Sequence, residues 1–277
     1  MPPRIIKVYS KDNHFQRAEV LKRNREKRTR YAEFLVEGVR AINAALTYRW
    51  EIGSFLYSSE RPLSSWAQDI LAQSSAAYHL DLKLSLLEEL SDKEETSELL
   101  ALVRCRTDDL ARIPRSPAMV VVVFDRPVSP GNLGSSLRSC DALGACGVII
   151  TGHAADLYDP QTVRSSTGSS FAIPAVRLES ASEVASWVSS LADEGIEMQI
   201  VGTDEQGSAT LDSFDFTKPT LLIMGNETSG MAAAYREMCT ALLKIPMCGS
   251  ASSLNVSCAA SIALYEVLRQ RAAGAAR

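Results

Sequence analysis

From about residue 118 onward, apolar runs alternate with segments of helical spacing. "MVVVVFDR" at 119–126 is a continuous β-branched run, as expected of a strand buried on both faces. "NLGSSLRSCDALGA" at 132–145 predicts a helix and "GVIIT" at 147–151 a second strand. A short helix is expected over 160–171, followed by an extended piece in "AIPAVRL". "SEVASWVSSLADEG" at 182–195 predicts a helix stopped by Gly195. Further strands are expected at 197–203, 220–225 and 241–247, and a last helix from about Ser253 to Arg271. Strands separated by helices imply an α/β domain with a mostly parallel sheet.

The earlier part has a different pattern. A basic helix is expected over 15–30, a short strand at Phe34–Val36 and a helix through Val39, Ile42, Ala45 and Leu46. A strand is expected at Phe55–Tyr57, and helices over 64–76 and 84–90. Pro114 and Pro117 mark the change of character. We therefore expect one domain over 1–112, a linker at 113–117 and a second domain over 118–277.

Charge sharpens this division. The net charge is −4, yet residues 1–49 carry +7 and the remainder −11. The basic density peaks in "LKRNREKRTR", 21–30. Such a run is either a solvated helix face or a footprint for a phosphate backbone. Apolar residues make up 46% of the 277 positions and no apolar run reaches the ~18 residues that span a bilayer. The start has no long apolar stretch of a secretory signal. Six cysteines without CxxC pairs imply free thiols in a reducing cytoplasm, no disulfide framework and no metal site.

In open parallel sheets, ligands bind beyond the carboxyl ends of the strands. Four loops there hold Gly beside polar residues: "FDRPVSPGNLGSSLR", "VGTDEQG", "MGNETSGM" and "PMCGSASSLNV". The first lacks G-x-G-x-x-G, which excludes a standard dinucleotide site, and no Walker phosphate loop occurs. His14, His79 and His153 are isolated, and no nucleophile elbow is present. Asn132 and Ser253 each read as a helix cap, and Asn255 then falls in a first turn. Arg138 is either a salt-bridge partner or an anion contact; Glu227 is either an arginine partner or a cap. Chemistry built from Asn, Arg, Glu and Ser suits transfer of an already activated group, which needs positioning and charge stabilisation.

Taken together, N-x-G-x-x-x-R at 132–138, "LLIMGNETSGM" at 221–231 and "IPMCGSASSLNVSCAASIALYE" at 245–266 resemble the SpoU (TrmH-type) branch of the SPOUT RNA methyltransferases. The likeness covers roughly 118–271, with "VRSSTGSSFAIPAV" as the middle segment. It implies a trefoil-knotted catalytic domain, S-adenosylmethionine as methyl donor, 2'-O-ribose methylation of RNA and a homodimer. It places Asn132, Arg138, Glu227, Ser253 and Asn255 on the catalytic polar positions. Thr203, Gly225, Ile245 and Leu254 fall where loops cradle the cofactor. The family assigns the Arg138 position to base action or substrate activation. Guanidinium groups in general stay protonated at neutral pH, so a phosphate anchor is the simpler role. Departures are small: the first motif begins "SPGN", and Cys140 lies in "CDALGA".

"RTRYAEFLVEGVRAINAAL" resembles the start of the smaller, ribosomal-protein-like α/β module that binds substrate in many of these enzymes. It favours ribosomal RNA, 23S in particular, over tRNA. A catalytically silent RNA-binding or assembly factor on the same fold is the alternative; loss of Asn132, Arg138 or Asn255 would favour it, and all three are present.

Overall fold

The computed structural model describes residues 3–275. By packing, the chain forms two compact units: residues up to Arg106 together with Tyr158–Phe171, and Thr107–Leu157 together with Ala172 onward.

The first unit runs β1 (Arg4–Val8), α1 (Asn13–Arg23), α2 (Arg25–Tyr31), β2 (Glu33–Glu37), α3 (Val39–Thr47), β3 (Ile52–Tyr57), α4 (Ser65–Gln73), β4 (Tyr78–Leu82), α5 (Leu84–Leu90) and β5 (Leu99–Arg104). The sheet order is β1-β4-β3-β5-β2, with β1, β4 and β3 parallel and β5 antiparallel to both its neighbours. Phe15, Ala18 and Leu21 seal α1 against Leu35, Leu56 and Leu80. The basic helix expected over 15–30 is two helices. Asn24 ends α1 in an extended conformation and its side chain caps α2 by accepting from Lys27 N at 3.0 Å.

That break changes the reading of the basic run. Arg28 is buried, and its Nη1 donates to the carbonyls of Leu21 and Lys22 at the end of α1. Its Nη2 reaches Asp159 at 3.3 Å, and Lys22 pairs with Asp92 at 2.8 Å. The run is in part an internal scaffold, leaving Lys27 and Arg30 among its outward charges.

The second unit holds β6 (Val120–Asp125), α6 (Pro130–Ala142) and β7 (Gly147–Thr151). The chain then passes through α7 (Pro160–Ser165) and α8 (Ser169–Ala172) before β8 (Ala175–Leu178), α9 (Ala181–Asp193), β9 (Gln199–Thr203), β10 (Ala209–Thr210), β11 (Thr220–Met224), α10 (Ala233–Met238), β12 (Ala241–Lys244) and α11 (Val256–Ala275). All pairings are parallel, in the order β10-β12-β9-β11-β6-β7-β8. Every residue of β6 and β11 is buried, which is why both read as unbroken apolar runs.

β12 inserts between β9 and β10, although β10 and β11 precede it in the chain. In that order β12 is laid down between two strands that precede it, in keeping with the knotted domain that the SpoU resemblance implies. The fit is tight. A Cβ on Gly207, in the loop between β9 and β10, would lie 2.6 Å from Leu243 C and 2.7 Å from Lys244 N.

Candidate active site

The carboxyl ends of β6, β9, β11 and β12 deliver the loops that build the site. The first begins α6. Here the cap is Ser129, whose Oγ accepts from Asn132 N at 3.3 Å, with Pro130 in the first turn. The expectation that Asn132 caps this helix is therefore corrected: Asn132 lies one turn in, and its side chain is free for other bonds. Its Nδ2 donates to Glu227 Oε1 at 3.2 Å, and its Oδ1 accepts from Asn255 Nδ2 at 2.9 Å.

The loop after β11 is made rigid by its own residues. Asn226 and Gly230 exchange two backbone bonds at 3.1 and 3.0 Å. Asn226 Oδ1 also accepts from Thr228 N and Ser229 N at 2.8 and 2.9 Å. This small hairpin turns at Gly230, with φ of 66°, and presents Glu227 outward. Glu227 Oε2 accepts from Val128 N at 3.3 Å, so its two oxygens hold both sides of the 128–132 turn.

The loop after β12 leads into α11. Asn255, not Ser253, is the cap: its Oδ1 accepts from Ser257 N at 2.8 Å and from Ser257 Oγ at 2.7 Å. The helix begins at Val256, three residues later than its spacing predicts, and Ser253 and Leu254 stay outside it in the loop. Ser139 Oγ and Ser261 Oγ, 2.7 Å apart, join α6 and α11 about two turns further on.

These loops enclose a cavity of about 490 Å³. Thr203, Gly225, Ile245 and Leu254 all line it, as do Glu227 and Ser253. The sequence reading missed Asp204, Asn226 and Met231, which also line it. Asp204 directly follows Thr203 at a strand end, and Asn226 lies between Gly225 and Glu227, so position was the available signal. Thr203 Oγ1 lies 3.5 Å from Met224 Sδ across the cavity floor. Gly225 admits no side chain, since a Cβ would meet Met231 N at 2.6 Å.

Arg138 stands apart. It is exposed on α6, about 120° around the helix from Asn132. It does not line the cavity, and no side chain among the described residues pairs with it.

The lining combines apolar side chains, Met224, Ile245 and Leu254, with the carboxylates of Asp204, Glu205 and Glu227, which suits a ligand that has both apolar and polar parts. Asp204 is itself paired with Arg236. Among the described residues no cluster of three metal-ligating side chains occurs.

Comparison with known proteins gives the chain its family. The model of the SpoU rRNA Methylase family matches residues 119–265 and that of the SpoU L30e-like domain matches 12–101. A 23S rRNA (uridine(2479)-2'-O)-methyltransferase of Streptomyces viridochromogenes is 48% identical over 98% of this chain and 95% of its own. The chain belongs to the SpoU rRNA methylase family. Among solved structures, the SpoU methyltransferase AviRb from the same organism, in complex with AdoMet, superposes with a TM-score of 0.91. It is 49% identical, over 94% of this chain and 98% of that one. An AdoMet-bound rRNA methyltransferase from Sinorhizobium meliloti gives 0.85 at 27% identity, over 96% and 98%. The loops after β9, β11 and β12 close on one cavity, which Thr203, Gly225, Ile245 and Leu254 line.

Proposed function

We propose that this SpoU protein transfers the methyl group of S-adenosylmethionine to a ribose 2'-hydroxyl of ribosomal RNA, in the 23S molecule. The observation that carries the reading is the cavity, in which Thr203, Gly225, Ile245 and Leu254 meet beside Glu227. The relatives' activities and their AdoMet-bound structures support it.

Bound S-adenosylmethionine would supply a methyl group on a positively charged sulfur. The ribose 2'-oxygen of the RNA is the nucleophile, the S–CH3 bond breaks to leave a neutral thioether, and the hydroxyl proton passes to solvent. The residues of this chain bind and orient. Thr203, Gly225, Ile245 and Leu254 hold the cofactor. Glu227 orders the 128–132 turn, because both its oxygens already accept bonds there. Asn132 and Asn255 carry that order to the mouth of α11, where Ser253 faces the cavity. Arg138, exposed and without a side-chain partner among the described residues, binds a phosphate next to the target ribose. It raises the local concentration of RNA and fixes its register.

The N-terminal unit binds the RNA, through Lys27, Arg30 and neighbouring basic side chains; residues 1–112 act as the substrate-binding domain and 118–277 as the methyltransferase domain. The working form is a homodimer. Ile262, Tyr265 and Leu268 are 41%, 59% and 44% exposed along one face of α11, an apolar stripe of the kind that marks an interface. The protein acts in the cytoplasm. All six cysteines are free, and no described helix is long and apolar enough to cross a membrane.

The test is transfer of labelled methyl to 23S rRNA, 16S rRNA and tRNA, with Arg138→Ala alongside. The reading expects label in 23S rRNA only, lost in the variant while cofactor binding is kept. Label in tRNA alone would overturn the substrate assignment. Cofactor binding with no label in any RNA or in ribosomal particles would support the silent RNA-binding alternative.

A further inference from the structure

Resting on that reading, we propose that Arg126 is a positioning residue for methyl transfer, holding the cofactor-side loop 225–232 against the loop that carries Asn132. Three contacts make the clamp. Asn226 Nδ2 donates to Arg126 O at 2.6 Å, at the entry of the 225–232 loop. Arg126 Nη2 donates to Gly230 O at 3.4 Å, at its turn. Ala232 N donates to Asp125 Oδ2 at 2.9 Å, at its exit.

The guanidinium is aimed by its neighbour. Arg126 Nε and Nη2 lie 2.9 Å from the two oxygens of Asp125, a forked pair on a buried carboxylate. The backbone is bent to allow this. Arg126 has φ of 51°, a left-handed conformation uncommon outside glycine. Its own N donates to Thr151 O at 3.0 Å. Gly152 leaves room for the side chain, since a Cβ there would lie 2.8 Å from Arg126 Cγ.

A turn that only had to bend would be served better by glycine. An arginine in that conformation, forked onto a buried aspartate and reaching Gly230, is explained by what its side chain holds. Two residues further on, Val128 N donates to Glu227. One turn thus controls both the loop that lines the cavity and the carboxylate that orders Asn132.

The test uses Arg126→Gly, which relieves the backbone and deletes the guanidinium, with Arg126→Lys as the conservative variant. Because a lone Asp125 carboxylate would be left buried, Asp125→Asn with Arg126→Gly serves as a second background. Amide hydrogen exchange is read over 226–232 and 128–132, with kcat and KM for methyl transfer. The proposal expects a folded Gly variant with faster exchange confined to those amides. It expects kcat to fall roughly tenfold to a hundredfold, more than any rise in KM, with partial rescue by lysine. Unchanged exchange and kcat would overturn it. So would loss of protection throughout the unit in both glycine backgrounds, which would make the pair a stability element. A parent protein that transfers no methyl would sink the methyltransferase reading instead, and local exchange would still decide the clamp.

Discussion

Asn255 donates its side-chain amide to the Oδ1 of Asn132 at 2.9 Å, joining two helix starts 123 positions apart in the chain. Glu227 closes the line through the Nδ2 of the same Asn132. Three motifs that are weak singly are therefore one hydrogen-bonded unit at the edge of the cavity.

Asn132→Ala cuts that unit at its centre. The fold should lose about 1 kcal/mol, the scale of a partly exposed side-chain bond, while kcat falls by tenfold or more, roughly, from lost alignment. Chemical denaturation and steady-state methyl transfer read the two effects separately.

Asn255→Asp separates capping from bridging. An aspartate still accepts from Ser257 N but cannot donate to Asn132, so stability should hold within about 0.5 kcal/mol while activity falls. Asn255→Ala loses both, at a further cost of about 1 kcal/mol. Equal activity in the Asp variant and the parent would remove Asn255 from the site.

Gly207→Ala tests the close approach of β12 to the loop between β9 and β10. The added methyl meets main-chain atoms of Leu243 and Lys244, which cannot rotate away. We expect destabilisation of about 3 kcal/mol or more, measured by urea denaturation. Gly249→Ala is the control, since a Cβ there meets nothing within 4 Å.

Stability should fall in alkali. Burial pushes the Tyr235 hydroxyl up to about 12 from 10, against the opposing bond from its OH to Thr151 Oγ1. Burial pushes the Cys239 thiol up to about 11 from 9. Both groups keep their protons longer when folded. Their contribution is whole below the unfolded values, near 9 for Cys239 and 10 for Tyr235, and is lost as pH rises through 11 and 12. Tyr235→Phe should flatten the upper part of that decline in denaturation midpoints measured from pH 8 to 12.

Much of this was legible in the chain. The second unit's strands announce themselves because a parallel sheet buries both faces, which writes continuous apolar runs such as Val120–Phe124. The three motifs could be read in order, but only the fold shows that Thr203, Gly225, Glu227, Ile245, Ser253 and Leu254 line one cavity while Asn132, Arg138 and Asn255 do not. The strands β1, β4 and β5 were missed. β1 is a five-residue edge strand with three exposed side chains. β4 carries His79 and Asp81 inside it, which breaks the apolar signal. The break at Asn24 and the cap at Asn255 show the ordinary limit of helix ends. Several Ser and Asn residues compete for each cap, and only the packed chain decides which one turns. Arg126 was invisible for another reason: its role depends on a backbone angle that spacing does not encode.

The central claim is that this site methylates a ribose oxygen and not a base. The most direct measurement is mass spectrometry of nucleosides from 23S rRNA after reaction with labelled S-adenosylmethionine. We predict label in one 2'-O-methylated nucleoside, formed at least roughly tenfold more slowly with Asn132→Ala. Label on a base, or equal labelling by parent and variant, would contradict it.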